Sequence, residues 1–311
     1  MAHATPLTAE TPLPSASQEL QRPRRLSVTT ANALTNFSAL QAQFRAHRLV
    51  VFLDYDGTLT PIVNDPALAL LPPTTKHTLE KLREKFITGV ITGRSLDKIQ
   101  KFVGLPQLYY AGSHGFDIKG PDGTSIKNQV ASQFLVDLRA VRDELRAQIQ
   151  GIDGAEVEDN VFSVSLHFRN VDQALWPQMS KIAYAVRDQH PRIKLNEGKM
   201  VYEYKPKLDW NKGKALLWLL QALELDEHDD VYTIYIGDDT TDEDAFQLFR
   251  AQDARKGAGI IVTEESTSTN ALFTLRDTNE VGEFLNRLLA CGEQNGSALG
   301  GLQSTAPSTA Q

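Results

Sequence analysis

Two carboxylates lie two residues apart directly after an apolar run, in the string VVFLDYDGTLT. They are Asp54 and Asp56, and Gly57 follows them. A carboxylate at the end of a buried strand is costly unless it has a partner. A divalent cation would offset that cost, because Mg²⁺ binds a few carboxylates together with phosphate oxygens. The alternative interpretation is a turn in which Asp56 and Gly57 serve only the backbone conformation.

A second acidic group follows another apolar run, in the string YIGDDTTDEDAF. Asp238, Asp239 and Asp242 lie there, at the predicted start of a helix. A helix N-cap, which stabilises by about 1 kcal/mol, explains one of these acids but not three. Like charges this close need a cation or contact with water. We therefore expect the two acidic groups to meet at one metal ion.

Two further strand ends offer groups that suit an anion. The string VITGRS places Thr92, Gly93 and Arg94 between an apolar run and a predicted helix, and hydroxyls, backbone N–H groups and helix N-termini bind phosphate. An ordinary Ser or Thr helix cap is the alternative. The string KPKLDWNKGKAL contains four lysines, and such lysines usually lie on a solvated surface. Lys212, however, lies at a predicted helix start, where its charge opposes the helix dipole, which indicates a nearby anion.

Elements that alternate along the chain must position these groups. Short apolar runs predict buried strands at 49–53, 86–91, 108–111, 231–236 and 259–262. Helical patterns occur at 74–85, 95–103, 211–225 and 241–251. This alternation favours an α/β fold with a doubly wound, Rossmann-like parallel sheet. Ligands of such folds bind at the carboxyl ends of the strands, where the acids and Thr92 lie.

The middle of the chain has a different pattern. A Gly-Pro-Asp-Gly turn at 120–123 indicates a hairpin, and a helix is predicted at 131–150. Residues 161–170 alternate apolar and polar side chains, as a half-exposed antiparallel strand does. We therefore predict an inserted α+β cap domain.

The predicted division of the chain has five parts. They are a disordered tail at 1–38, the first part of the core at 39–116, the cap at 117–199, the second part of the core at 200–292 and a disordered tail at 293–311. The N-terminal tail is rich in Ala, Thr, Ser, Pro and Gln, a composition typical of disorder.

Composition narrows the classes of partner. The net charge of −7 opposes a nucleic-acid partner, which normally requires a basic surface. No run reaches the roughly 18 apolar residues of a membrane span, and the single cysteine favours a reducing compartment. We expect a cytoplasmic protein, with a monomer favoured, that binds neither membranes nor nucleic acid. The alternative location is an organelle, because arginines at 22–25 suit a transit peptide, although nearby acids oppose one.

The order of these groups resembles the haloacid-dehalogenase-like phosphohydrolase superfamily, and the resemblance runs from residue 50 to about residue 289. It implies that Asp54 is the nucleophile that accepts the phosphoryl group and that Asp56 is the general acid and base. It also implies that Thr92 and Lys212 hold the phosphate oxygens. The chemistry is coherent, since a lysine and a metal ion neutralise the repulsion between a carboxylate and a phosphate dianion.

The resemblance also implies a set of metal ligands. Asp54, Asp238 and the carbonyl of Asp56 would bind Mg²⁺. Asp239 and Asp242 would act through water.

Longer strings resemble one family within that superfamily, the trehalose 6-phosphate phosphatases. They are LDYDGTLTPI, YYAGSHGFDIKGP, VEDNVFSVSLHFRNV, WNKGKAL and IYIGDDTTDEDAF. The resemblance implies Mg²⁺-dependent hydrolysis of trehalose 6-phosphate through an aspartyl phosphate, the last step of trehalose biosynthesis. It implies a cap that closes over the core and binds the sugar. The implied substrate-binding residues are Gly93, Arg94, Gly112, Ser113, His114, Glu158, Asn160, Arg169, Lys199 and Glu203.

Other interpretations remain open at this point. A phosphatase for another sugar phosphate, such as sucrose 6-phosphate, would keep the catalytic residues and change the cap contacts. A non-catalytic sugar-phosphate sensor is opposed by the intact catalytic positions, and a phospho-acceptor domain would need only about 120 residues. For His114 and His167, the alternatives to a functional role are a loop residue held by its backbone and a partly buried strand residue.

Overall fold

The computed structural model describes residues 31–295 apart from 64, 122–124, 127–128, 251–255 and 266. Its strands are β1 (Ala31–Asn32), β2 (Arg48–Leu53), β3 (Ile87–Ile91), β4 (Tyr109–Gly112), β5 (Asp117–Lys119), β6 (Ser125–Ile126), β7 (Glu156–Asp159), β8 (Val164–His167), β9 (Ile193–Gly198), β10 (Val201–Pro206), β11 (Val231–Gly237), β12 (Gly257–Val262) and β13 (Phe273–Leu275). Its α-helices are α1 (Phe37–Ala46), α2 (Pro73–Lys85), α3 (Leu96–Val103), α4 (Leu135–Gln148), α5 (Trp176–Gln189), α6 (Lys212–Ala222), α7 (Glu243–Gln247) and α8 (Thr278–Asn295).

The described strands form two sheets. The larger has nine strands in the order β1-β13-β12-β11-β2-β3-β4-β5-β6, and the first seven of these run parallel. The smaller sheet is antiparallel, in the order β7-β8-β10-β9. The predicted α/β fold with a parallel-sheet core is confirmed.

Strand β2 shows why the large sheet is covered on both faces. Its side chains alternate between two apolar clusters: Val51 and Leu53 pack with α2, α3 and α8, and Val50 and Phe52 pack with α6 and α7. A strand buried on both faces needs apolar residues at every position, which explains the unbroken run in the sequence.

Helix α3 combines a buried face with a polar one. Ile99 and Val103, four residues apart, are fully buried, and each such side chain contributes about 1.5–3 kcal/mol. The helix ends at Gly104, whose φ of 63° gives the left-handed conformation that glycine adopts readily. Lys98 and Lys101 lie outside the buried face. Lys98 lies at the boundary between the two sheets, as described below.

Sheet membership corrects the predicted cap limits of 117–199 at both ends. β5 and β6 continue the large sheet, since β5 pairs antiparallel with β4, so the chain leaves the core after β6. β10, predicted within the core, is a central strand of the small sheet. A local strand pattern does not say which sheet a strand joins, because pairing is decided by distant parts of the chain. The predicted turn at 120–123 lies partly outside the described residues.

The N-terminal limit is also corrected. Residues 31–38, predicted to belong to a disordered tail, include β1, which pairs with β13, and the start of α1. Phe44 of α1 packs in the core against Tyr232 and Phe284. Residues 1–30 and 296–311 lie outside the described residues, so disorder there stays a prediction. None of the helices in the described part of the chain has the length and apolar character needed to cross a membrane.

Candidate active site

Asp54 lies at the carboxyl end of the central strand. Its N–H donates to the carbonyl of Ile236 at 2.8 Å, which continues the pairing of β2 with β11. Its carboxylate is buried and accepts a hydrogen bond from Nζ of Lys212 at 3.0 Å. Helix α6 begins at Lys212, as predicted, and the side chain of Asn211 caps the helix by accepting from the N–H of Lys214. The structure therefore brings together two groups that are 158 residues apart.

Three carboxylates form a group with the geometry for a metal ion. Oxygens of Asp54, Asp238 and Asp242 all lie within 4.8 Å of one another. Asp238 follows β11, the neighbour of β2, so the two strand ends converge as expected. The loop after β2 comes very close to Asp238. A Cβ added to Gly57, whose φ is 78°, would lie 2.0 Å from Oδ2 of Asp238. Only glycine permits this approach.

The electrostatics of this group favour a cation. Burial, together with the charges of Asp242 and Asp238, raises the pKa of Asp54 well above its ordinary value, although Lys212 opposes the shift. Burial, followed by the charges of Asp239 and Asp242, raises the pKa of Asp238 to about 7. A divalent ion would relieve this repulsion, so the donor set fits a hard metal ion that prefers oxygen ligands.

Asp242 has a different environment from the other two. Its Oδ1 accepts from Nζ of Lys212 at 2.8 Å and from the hydroxyl of Tyr235 at 2.6 Å. Its Oδ2 accepts from the N–H groups of Asp238 and Asp239, each at 3.2 Å. A carboxylate has about four acceptor positions, so these four donors occupy its capacity. Asp242 therefore orients Lys212 and the acidic loop, and Tyr235, which the sequence analysis did not identify, supports it from within a strand.

Asp239 is half exposed and lies at the edge of the group. Its Oδ1 accepts from the N–H and the hydroxyl of Thr241, at 2.7 and 2.6 Å. Burial would raise the pKa of Asp239, but the charge of Lys212 and the Thr241 hydrogen bonds lower it to about 2. The pKa values of the neighbouring Asp238 and Asp239 are thus shifted in opposite directions.

These opposite shifts predict opposite effects on stability in the metal-free protein. The folded-state pKa of Asp238 is about 7, against an ordinary value of 3.8, so its ionisation destabilises the fold progressively as pH rises between these values. Each pKa unit corresponds to about 1.4 kcal/mol. We expect Asp238→Asn to raise the melting temperature with EDTA at pH 8, and much less at pH 5.

Asp239→Asn is the matched control for this effect. The pKa of Asp239 is lowered to about 2, so its carboxylate stabilises the fold at pH 8, and its removal should lower the melting temperature modestly. Solvent screening keeps this effect small, because the side chain is half exposed. Thermal unfolding followed by circular dichroism would decide. An Asp238→Asn variant that is less stable than the unmodified protein at pH 8 would contradict the expectation.

Asp56 pairs with Arg94 instead of joining the three-carboxylate group. Both of its carboxylate oxygens accept from the guanidinium, at 2.7 and 2.6 Å. The guanidinium also lies over the rings of Phe102 and Tyr55, with centroid distances of 4.7 and 5.4 Å. A two-bond ion pair with cation–π support holds both side chains in one geometry. Arg94, predicted to bind substrate, thus contacts the predicted general acid.

The loops after β3 and β4 are hydrogen-bonded to each other. The buried Thr92 accepts from the N–H of His114 at 2.8 Å through its carbonyl, and the carbonyl of Arg94 accepts from the N–H of Ser113 at 2.7 Å. The imidazole of His114 lies across Gly93, where a Cβ would be 2.9 Å from Nε2. Gly112 is equally confined, because a Cβ there would lie 2.5 Å from the backbone nitrogen of the first residue of α3. The loop with the predicted anion-binding residues Thr92, Gly93 and Arg94 therefore forms one compact unit with the loop that holds Ser113 and His114.

Two adjacent residues of this unit have a strained backbone. Ser113 and His114 have φ values of 50° and 57°, in the left-handed region that residues with a Cβ avoid. Each costs about 1–3 kcal/mol. The surrounding hydrogen bonds hold this conformation, which directs His114 towards the small sheet.

The small sheet presents a polar face that carries the predicted sugar-binding acids. Side chains alternate across a sheet, so Glu158, Ser165 and Glu203, which lie opposite one another in the register, share one face. The intervening residues, including Leu166 and Tyr202, pack on the other face with α4 and α5.

Each of the two acids has cationic or imidazole partners. Glu158 accepts from Nζ of Lys98 at 2.5 Å and contacts Nε2 of His167 at 3.1 Å. The hydrogen bond from His167, with help from Lys98, lowers the pKa of Glu158 to about 2 against the effect of burial. Burial likewise opposes the lowering of the pKa of Glu203 to about 2, which the ammonium of Lys205 favours.

Lys205 differs from its expected state. It was predicted to be solvated, but its side chain is 8% exposed, with Nζ 2.7 Å from Oε2 of Glu203 and 2.7 Å from Nε2 of His114. Burial and the nearby ammonium lower the pKa of His114, so its neutral ring accepts this hydrogen bond. His114 is therefore held by its backbone, as one alternative proposed, and also contacts the small sheet through its side chain. His167 is a half-buried strand residue that also contacts Glu158.

Arg169 and Lys199 lie apart from the other predicted residues. Both are exposed, and within the described part of the chain neither forms an ion pair. Arg169 follows β8 and, with Asp153 and Trp176, lines a cavity of about 630 Å³. Lys199 lies in the turn between β9 and β10. The register places both towards the end of the small sheet that lies away from Asn160.

The doubly wound sheet and the converging strand-end acids define a haloacid-dehalogenase-like phosphohydrolase, a class of phosphoric monoester hydrolases. This architecture occurs in the crystal structure of a trehalose-6-phosphate phosphatase related protein, with a TM-score of 0.68 and 26% identity, covering 79% of this chain and 99% of that one. The chain belongs to the trehalose-phosphatase family, whose family model matches residues 52–279.

Relatives at higher identity carry the same family name. Probable trehalose-phosphate phosphatase J of Arabidopsis thaliana is 42% identical over 267 residues, covering 83% of this chain and 72% of the relative. Probable trehalose-phosphate phosphatase 4 of Oryza sativa subsp. japonica is 42% identical over 269 residues, covering 86% and 73%. The predicted family is confirmed.

Proposed function

We propose that this chain is a Mg²⁺-dependent phosphatase that hydrolyses trehalose 6-phosphate to trehalose and phosphate through an aspartyl phosphate on Asp54. The observation that carries the proposal is the buried carboxylate of Asp54 at the end of the central strand, 3.0 Å from Nζ of Lys212. Family membership and the names of the relatives support the substrate.

The carboxylates of Asp54 and Asp238 would hold the Mg²⁺, together with the backbone carbonyl of Asp56. When bound, the ion supplies positive charge that offsets the repulsion between Asp54 and a phosphate dianion. Lys212 supplies a second positive charge. Although burial would lower its pKa, the charges of Asp242 and Asp54 raise it well above the ordinary value, so Lys212 remains an ammonium ion.

In the first chemical step, one phosphorus–oxygen bond forms, another breaks and a proton is transferred. An oxygen of Asp54 attacks phosphorus, and the bond from phosphorus to the sugar oxygen breaks. Asp56 gives a proton to that sugar oxygen, so that trehalose leaves as an alcohol. Because Arg94 occupies both oxygens of Asp56, this proton transfer requires the pair to loosen. The incoming phosphate is an alternative partner for Arg94, which would release Asp56.

The second step returns the enzyme to its starting state. Asp56 takes a proton from a water molecule, whose oxygen attacks phosphorus and breaks the bond to Asp54. Phosphate then leaves. Thr92 would hold its oxygens from the strand end after β3, where the neighbouring loop is already hydrogen-bonded into a compact unit.

The polar face of the small sheet would bind the sugar. Glu158 and Glu203 are carboxylates that accept hydrogen bonds from hydroxyls, and they lie in one row of this face. Arg169 and Lys199 would contact the substrate only at its far end, since they lie apart from that row. The division into a core and a cap that covers it remains part of this proposal.

Replacing Glu203 with Gln tests whether this face binds the sugar. The substitution keeps the shape but removes a charged acceptor, and such hydrogen bonds contribute about 1.5–3 kcal/mol, or about 10–100-fold. We expect kcat/KM for trehalose 6-phosphate to fall by that factor. The value for para-nitrophenyl phosphate, which has no sugar, should change less than about threefold.

Glu197→Gln is the matched control for Glu203→Gln. Glu197 lies on β9 and accepts a hydrogen bond from Tyr184 of α5, on the other face of the same sheet. Its replacement should leave both substrates unaffected. Equal losses on the two substrates in Glu203→Gln would mean that Glu203 serves the fold or the chemistry and does not bind the sugar.

The substrate itself is tested by phosphate release at fixed Mg²⁺ from trehalose 6-phosphate, sucrose 6-phosphate and glucose 6-phosphate. We expect trehalose 6-phosphate to have the highest kcat/KM by a wide margin. Equal rates on all three would overturn the substrate and leave the mechanism standing. A cytoplasmic, monomeric state and the lack of nucleic-acid and membrane partners stay predictions.

A further inference from the structure

Lys98 links the two sheets at the site. It belongs to α3, which packs on the large sheet, but its Nζ lies 2.5 Å from Oε1 of Glu158 and 3.1 Å from Oδ1 of Asn160. Both partners belong to the small-sheet side, at β7 and the loop that follows it. Lys98 therefore belongs to a helix of the large-sheet domain, but the groups that pair with its charge belong to the inserted small-sheet domain.

The carboxylate of Glu158 is held at both oxygens. Oε1 accepts from Lys98, and Oε2 contacts His167. His167 lies on β8 of the small sheet, whereas Lys98 lies on α3, which packs on the large sheet. If the two sheets separated, Glu158 would keep only one of its two partners. The orientation of this predicted sugar ligand thus depends on contact between the sheets.

A second hydrogen bond fixes the same part of the insertion. The hydroxyl of Ser113 donates to the carbonyl of Asn160 at 2.8 Å, and both groups are buried. The next residue, Val161, has a φ of 66°, an unusual conformation for a β-branched side chain. Ser113 and Lys98 therefore hold a strained hairpin tip from the core side.

Lys98 also lies close in sequence to the predicted phosphate side of the site. Helix α3 begins at Leu96, two residues after Arg94, and Arg94 contacts Asp56. One short helix thus connects the end of the site that holds the predicted general acid with the carboxylate that would bind the sugar. An ammonium has three N–H donors, of which Glu158 and Asn160 account for two, so one donor remains.

We propose that Lys98 is a specificity-determining residue, which orients Glu158 and offers its third donor to the sugar when the insertion closes on the core. This inference rests on the proposed function, since it concerns the sugar part of the substrate. It implies that Lys98 acts on substrates with a hydroxyl-rich ring attached to the phosphate. Substrates without a sugar would not gain from it.

Lys98→Met tests the proposal, because methionine has a similar length and no charge. Loss of a hydrogen bond to a charged group corresponds to about a 10–100-fold effect, which we expect as a rise in KM for trehalose 6-phosphate. The kcat and KM for para-nitrophenyl phosphate should change less than about threefold. Lys98→Arg, which keeps the charge, should recover part of the loss.

Two further variants separate this role from a structural one. Lys101→Met removes an exposed lysine from the same helix and should change neither substrate. Glu158→Gln combined with Lys98→Met should cost much less than the product of the single effects, because the two residues act as a unit. Equal rises in KM on both substrates, or fully multiplicative effects in the double variant, would overturn the proposal.

Hydrogen exchange of the substrate-free protein gives a readout that needs no substrate. Lys98→Met should speed exchange in the hairpin at 156–167, and Lys101→Met should not. Unchanged exchange in Lys98→Met would overturn the role of Lys98 in holding the insertion. If the unmodified protein fails on trehalose 6-phosphate, the proposed function is overturned. The KM comparison then uses whichever sugar phosphate is hydrolysed fastest, so the two failures remain distinguishable.

Discussion

Asp54→Asn should abolish phosphate release, with kcat falling by about four orders of magnitude or more, as when another nucleophile is removed. The amide is uncharged and cannot form the aspartyl phosphate. It should not unfold the protein, because burial already raises the pKa of Asp54 and so disfavours the charged form in the fold. Acid-quenched protein should retain labelled phosphate when Asp54 is present and lose this label in the variant.

Asp230→Asn is the matched control for this experiment. Asp230 precedes β11 and pairs with Arg48 at the start of β2, so it lies at the opposite end of the same two strands. An exposed ion pair of this kind contributes about 0–1 kcal/mol, and full activity is expected. Substantial phosphate release by Asp54→Asn would rule out an aspartyl phosphate at this position.

Asp56→Asn should have the second largest effect and should separate the two chemical steps. We expect turnover of trehalose 6-phosphate to fall by about 10²–10⁴-fold, the usual contribution of a general acid or base. With para-nitrophenyl phosphate the first step should remain fast, because nitrophenolate leaves without a proton. Hydrolysis of the aspartyl phosphate should still be slow, so rapid mixing should show a burst of one nitrophenolate per site and then slow turnover.

Asp97→Asn is the matched control for Asp56→Asn. Asp97 is an exposed acid in the first turn of α3, close in sequence to Arg94 but without contact to Asp56 among the described hydrogen bonds. Its replacement should cause neither the burst nor the loss. A slow first turnover of para-nitrophenyl phosphate in Asp56→Asn would contradict the proton-donor role, since this step needs no acid.

The strand-end groups were predictable because their signals are local. An unbroken apolar run marks a strand buried on both faces, and residues that follow it lie at the ligand-binding edge of a parallel sheet. Asp54, Asp238 and Thr92 each follow such a run, and the start of α6 at Lys212 was equally visible. The sequence by itself therefore determined the fold class, the family and the edge of the sheet at which the charged groups meet.

Only the tertiary structure decided which groups touch. Lys98 and Glu158 are 60 residues apart, and Lys205 and His114 are 91 residues apart, so no local pattern relates them. Of the donors around Asp242, Lys212 belongs to α6 and lies 30 residues away, whereas Tyr235 lies on β11 and has the pattern of one more buried strand residue. Alternation assigns a side chain to one face of a strand, but the element packed on that face is set by long-range pairing.

The limits of the inserted domain illustrate the same difference between local sequence signals and long-range contacts. The strand patterns at β5 and β10 are visible in the sequence, but whether each joins the large or the small sheet depends on hydrogen-bond partners far along the chain. Local sequence determined the strands and the chemistry at their ends. The tertiary structure decided the sheet each strand joins and the partner each charge receives, because both depend on contacts between residues distant in the chain.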